Sequence, residues 1–162
     1  MKEGFLNEYI IQPVFFGFGL ITFILVCFKT KSNLKVENLI KSSISIIKYS
    51  GIAFFLLWIY SLLNDKSLLE RLNGDYWYSV VILMFTYPIL SQLFWIKKIT
   101  NSNLLVGIIS LLFLFINLEF SGKIICFDGD CDMKFYFIGI LKEVGIYLLI
   151  LLLVNKLLND EK

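Results

Sequence analysis

The chain has 162 residues, 58% hydrophobic and 17% aromatic, with a formal net charge of +2 and a mean hydropathy of +0.79. Its apolar residues come in long runs rather than periodic faces, which makes lipid its solvent, and five crossings of about 20 residues each leave no room for a separate soluble domain. Basic residues are spread over the loops without a patch of interleaved aromatics, which argues against nucleic acid, and the absence of histidine excludes Ser-His-Asp and Cys-His hydrolases and the commonest zinc ligand.

The first apolar run, about residues 9–28, follows Lys2, Glu3 and Glu8 rather than a cationic leader and is too long for a signal-peptide core, so we read it as a retained helix. Gly17 and Gly19 in it offer close approach to a neighbouring backbone but lack the four-residue spacing of a dimerisation face. The second helix, about 33–63, has an amphipathic lead-in. Val36, Leu39, Ile40, Ile44 and Ile47 fall on one stripe and Glu37, Lys41, Ser45 and Lys48 on the other. Capped near Ser32 or Asn33 and unbroken to Leu63, it would measure roughly 46 Å at 1.5 Å per residue. That exceeds a hydrocarbon core of about 30 Å, so we expect it to extend into the cytoplasm. Its lead-in is then either a membrane-surface segment or a docking surface carrying Lys35, Glu37, Lys41 and Lys48 as candidate partner-binding residues.

The third helix, about 78–96, carries Pro88 in its interior, where the lost backbone donor favours a kink. Tyr87, Ser91 and Gln92 form a polar stripe there that suits a bundle seam. The segment from Pro88 to Asn103, with Gln92, Leu93, Phe94, Trp95, Lys97 and Lys98, resembles a hairpin in NrfD-like membrane subunits of quinol oxidoreductases. It covers about a tenth of the chain; that family is longer and has more helices, and we carry over neither function nor residue roles.

The fourth helix spans about 104–118 and the fifth about 135–158. In the loop between them, Cys126 and Cys131 suit a disulfide in an oxidising compartment. Asp128, Asp130 and Asp132 alternate like the opening of a calcium loop of EF-hand type. Met133 then stands where the turn glycine belongs and Gly139 where the bidentate glutamate belongs, so we expect a solvated acidic loop and no bound metal, with weak divalent-cation binding by the three aspartates as the alternative. Lys142 and Glu143 interrupt the fifth helix within a turn of its outer end, where both can snorkel to the surface. Glu119, at the same level, suits an ion pair with Lys142.

Counting basic residues on the two sides sets the orientation. Nine fall on the side of the first interhelical loop, including Lys29, Lys31, Lys35 and Lys41, against six on the other, and ten of the 13 acids lie opposite. The expectation is an all-α polytopic membrane protein of a single domain, residues 1–162, with five transmembrane helices in an antiparallel bundle. Its amino terminus lies outside and its carboxyl terminus in the cytoplasm. Abundant Ile, Lys, Asn and Phe, one alanine (Ala53) and one arginine (Arg71) correspond to AU-rich codons, and so to the inner membrane of a low-GC bacterium.

No catalytic constellation is legible, and we expect no enzyme activity and no cofactor. The partners expected are the bilayer and another membrane protein, or a second copy of the chain. The function that follows is contact: an accessory or regulatory subunit of an envelope complex, or an immunity-type protein that blocks a membrane-active toxin. The alternatives are an oligomeric channel or transporter subunit and a membrane thiol oxidoreductase. For the last, the disulfide-bond quinone reductases and vitamin K epoxide reductases are similar in size and helix count, but the chain lacks their Cys-x-x-Cys pair.

Overall fold

The computed structural model describes residues 12–29, 33–64, 77–120 and 133–160, and every regular element among them is a helix. We label the long ones α1 (residues 12–27), α2 (Leu34–Asn64), α3 (Trp77–Gln92), α4 (Asn103–Phe120) and α5 (Met133–Asp160). α1 is composite: an α-helical turn at Gln12–Gly17, a π-helical stretch at Phe18–Thr22 and a second α segment at Phe23–Cys27.

Helix starts are set by local side-chain chemistry. Asn33 caps α2, its Oδ1 accepting from Val36 N at 3.3 Å while its carbonyl accepts from Glu37 N. Ser102 does the same for α4, with Oγ accepting from Leu105 N at 3.4 Å. Each cap satisfies a backbone donor that the first turn leaves unpaired. α3 stops earlier than the expected residue 96. Past Gln92 the chain tightens into a 3-10 turn at Leu93–Trp95, and Ile96 is extended (φ −79°, ψ 111°) before a short helix at Lys97–Thr100.

Contacts along the helices give their directions. Thr22 meets Ser43 and Phe15 meets Phe54, so α1 and α2 run oppositely. Trp58 meets Phe85 and Lys48 meets Trp95, which reverses α3 against α2. Gly107 lies against Val26 and Leu114 against Gly19, which reverses α4 against α1. Ser42 reaches Asn155 while Tyr147 reaches Ser43, so α5 opposes α2 and descends alongside α1. Consecutive helices therefore alternate in direction.

α1 is the central helix: it packs against α2, α4 and α5, while α2 also packs on α3 and α5, and α3 on α4. Pro13, Phe15 and Phe18 of α1 are almost completely enclosed. Phe15 lies near-parallel to Tyr87 with ring centroids 4.4 Å apart, and Phe18 meets Phe94 and Phe113 edge-on at 5.4 and 5.2 Å. Such pairings hold the centre of the bundle by dispersion and quadrupole complementarity. α1 presents small residues to three neighbours. Gly17 meets Tyr147 of α5, Gly19 meets Ser110 and Leu114 of α4, and Thr22 meets Ser43 of α2.

The bundle encloses polar as well as apolar side chains and turns large apolar ones outward. Thr22, Ser42, Ser43, Ser91, Ser110, Asn117 and Glu143 are buried, whereas Phe137, Leu141, Leu149, Leu152, Leu153 and Leu157 of α5 are exposed. Leu34–Tyr60 and Phe137–Leu158 are long and apolar enough to cross a membrane, and the apolar helices Pro13–Cys27 and Asn103–Leu118 are shorter than that. Length and composition thus support two crossings among the described residues, where five were expected.

The α2 lead-in does not stand away from the bundle. Ile40, Ile44 and Ile47 are core residues, and Val36 and Leu39 pack against the same core. Glu37 lies level with Lys29, just past the end of α1. The 31 residues of α2 run along the bundle from this end, so its apolar face is covered by protein rather than by lipid headgroups.

Candidate functional site

The chemistry-bearing groups of the described residues lie in the interior, along one face of α5. Glu143, Tyr147, Leu151 and Asn155 recur at every fourth position, a spacing that stacks side chains on one side of a helix. Tyr147 is fully buried and Glu143 nearly so. Opposite them α1 and α2 present small and hydroxylated residues.

At mid-height the three hydroxyls of Thr22, Ser43 and Tyr147 form one hydrogen-bonded cluster, with Ser43 Oγ between the other two. It joins α1, α2 and α5 at a single point, and all three side chains are enclosed. Toward the basic end, Ser42 Oγ, on the residue next to Ser43, donates to Asn155 Oδ1 at 3.1 Å. Buried hydroxyls without partners are costly in apolar surroundings, and here each is satisfied by another helix.

Toward the opposite end, Tyr87 of α3 is enclosed by Phe15, Phe54 and Phe113. Its hydroxyl has Asn117 as hydrogen-bond partner, and Glu143 is close enough for its charge to act on it. Asn117 Nδ2 donates to Phe113 O at 3.0 Å, which orients the amide. Lys142 and Glu143, both expected to snorkel outward, are thus separated by their faces: Lys142 is exposed and Glu143 turns inward. Adjacent helical residues point about 100° apart, and packing against α1 decided which faced inside.

The basic end carries the expected partner-binding stripe. Lys35 and Lys41 are exposed. Glu37 is held by Lys41 at 2.8 Å and Lys29 at 4.0 Å, and Lys29 also donates to Asn103 Oδ1 at 3.1 Å. Lys48 lies over the Trp95 ring, 4.9 Å from its centroid. Three of the four stripe residues, Glu37, Lys41 and Lys48, are therefore engaged within the chain. On α3, Ser91 packs against Gly51 of α2, and Gln92 Nε2 donates to Lys48 O at 3.4 Å, as expected of a seam.

Cys126, Cys131, Asp128, Asp130, Asp132 and the side chain of Glu119 lie outside the described residues, and with them the expected disulfide, acidic loop and Glu119–Lys142 pair. Cys27 is a free, exposed thiol at the basic end. Among the described residues no group of three or more His, Cys, Asp or Glu could hold a metal ion.

Sequence reasoning missed the Thr22–Ser43–Tyr147 cluster and the inward placement of Glu143. The four-residue recurrence of Glu143, Tyr147 and Asn155 was the available signal. Comparison with protein-family models, curated proteins and solved structures finds no match. The likeness of residues 88–103 to an NrfD-like hairpin therefore stays local.

Proposed function

We infer that the chain is a five-helix membrane protein that acts by contact with other membrane proteins, as an accessory or regulatory subunit of an envelope complex or as an immunity-type protein. The observation that carries this reading is the apolar outer surface. Large apolar side chains cover the outside, while the buried hydroxyls of Thr22, Ser42, Ser43 and Tyr147 are bonded between helices. In water, an apolar surface on the scale of the α5 outer face would drive association; in a bilayer it is the ordinary surface. α1 is enclosed over residues 13–19, α4 turns Leu104, Ile108, Leu112 and Phe115 outward, and both can cross with a thinned bilayer or flanking residues making up the difference.

The positive-inside rule supports a cytoplasmic basic end, carrying Lys29, Lys35, Lys41, Lys97 and Lys98, with the amino terminus outside and the carboxyl terminus inside. Affinity purification from membranes in mild detergent tests the contact reading. A stoichiometric heterologous partner is expected. Recovery of the chain by itself as a homogeneous homo-oligomer that conducts ions after reconstitution would overturn it.

A second reading, an oligomeric channel or transporter subunit, is favoured by Glu143. A carboxylate enclosed in an apolar helix bundle marks an ion or proton path often enough to be a functional candidate by default. The same reconstitution experiment decides between the two readings.

A further inference from the structure

Between α2 and α3 lies a cleft of about 600 Å³. Gly51, Ile52 and Phe55 line one wall and Phe85, Ile89 and Gln92 the other. It is open along its length, and Ile52, Phe85 and Ile89 are exposed in it. The only group in the lining with a polar side chain is Gln92, at the basic end, where its amide is turned to Lys48 O.

Just below Gly51 on α2, the mouth of this cleft is cationic and aromatic. Lys48 sits over Trp95, Tyr49 meets the same ring edge-on at 6.1 Å, and Lys97 and Lys98 follow Trp95 in the chain, both exposed. Among the described residues, the acid at this end of α2 is Glu37, and it is taken up by Lys29 and Lys41. The mouth therefore holds Lys48 beside an indole, with Lys97 and Lys98 following in the chain. An apolar slot on the membrane face with such a mouth matches one ligand chemistry, an acyl chain joined to an anionic headgroup.

We propose that the α2–α3 cleft is a binding site for an anionic phospholipid. One acyl chain lies between Ile52, Phe55, Phe85 and Ile89, and the phosphate sits at Lys48 with Lys97 and Lys98 beside it. The site rests on the membrane reading above, and its charge complementarity favours lipid over a partner helix, which would bring its own apolar face but no anion to the mouth. A lipid held there would add to the contacts that already join α2 to α3 at Gly51–Ser91, Trp58–Phe85 and Lys48–Trp95.

The test uses the full chain with Trp77→Phe, so that Trp58 and Trp95 report, reconstituted into vesicles of phosphatidylcholine with a minor fraction of lipid brominated on its acyl chains. Brominated phosphatidylglycerol is expected to quench tryptophan fluorescence at least twofold more effectively than brominated phosphatidylcholine at equal fraction. Lys48→Ala with Lys97→Ala is expected to remove that preference, and Ile52→Phe with Ile89→Phe, which fills the slot, to lower quenching by both lipids. Equal quenching by the two lipids in the unaltered chain, or a preference untouched by both variants, would overturn the site. A dimer mass in detergent with Trp58 shielded from every brominated lipid would also overturn it, in favour of a second copy in the cleft. Resistance of the protein to alkaline carbonate extraction, measured on the same preparations, checks the membrane reading separately.

Discussion

Gly17 of α1 and Tyr147 of α5 lie so close that the tyrosine side chain occupies the space a β-carbon on Gly17 would take. The contact lets the Tyr147 ring lie against the α1 backbone and brings its hydroxyl to Ser43. Tyr147 is fully enclosed, so it has nowhere to withdraw.

Gly17→Ala is accordingly expected to destabilise the bundle by about 1–3 kcal/mol, the usual range for overpacking a filled interior. Gly145→Ala on α5 meets nothing within 4 Å and gains helix propensity, so it should be neutral or slightly stabilising. Thermal unfolding midpoints in detergent, followed by circular dichroism, check both. Equal midpoints for the two variants would contradict the packing described.

The hydroxyl cluster makes a prediction about coupling. Ser43→Ala removes the central member and should cost about 0.6–2 kcal/mol, in line with interhelical hydrogen bonds in membranes. Tyr147→Phe and Thr22→Val each remove one outer member. Because the three groups share Ser43, the Ser43→Ala/Tyr147→Phe double variant should cost less than the two single costs added together. Additive costs in a double-mutant cycle would show that the hydroxyls act independently.

Lys142 and Glu143 are neighbours in sequence with opposite surroundings, which separates their variants. Lys142→Ala, at an exposed site, is expected to stay within about 0.5 kcal/mol of the parent. Glu143→Ala strips a polar group from the enclosed region beside Tyr87 and Asn117 and should cost about 1–3 kcal/mol. Detergent unfolding midpoints measure both, and the reverse order would place Glu143 at the surface.

Cys27 gives a native probe of orientation. In a chain with Cys126→Ser and Cys131→Ser, Cys27 is exposed at the basic end, and the charge distribution puts that end in the cytoplasm. A membrane-impermeant maleimide should label it in inverted vesicles and leave it untouched in intact cells. Labelling in intact cells alone would invert the topology.

Much of the helical order could be read directly. The run ending at Leu63 lies within Leu34–Asn64, and Asn33 caps that helix because its short side chain reaches the first-turn donors whatever surrounds it. The same holds for the seam made by Ser91 and Gln92, since a polar stripe on an apolar helix has little choice but to face protein. The lead-in of α2 misled for a related reason. An amphipathic stripe shows that a face will be covered without showing what covers it, and here the cover is the bundle core.

What the amino-acid order settled by itself is therefore local: helix content, the cap of α2, the apolar runs and the charge distribution along the chain, all consequences of neighbours in sequence. What only the tertiary structure decided is which faces meet. Gly17, Gly19 and Thr22 lie close together in α1, yet they face three different helices. Adjacent Lys142 and Glu143 were parted by about a hundred degrees of helical rotation, and it took the packing of the bundle to expose one and enclose the other.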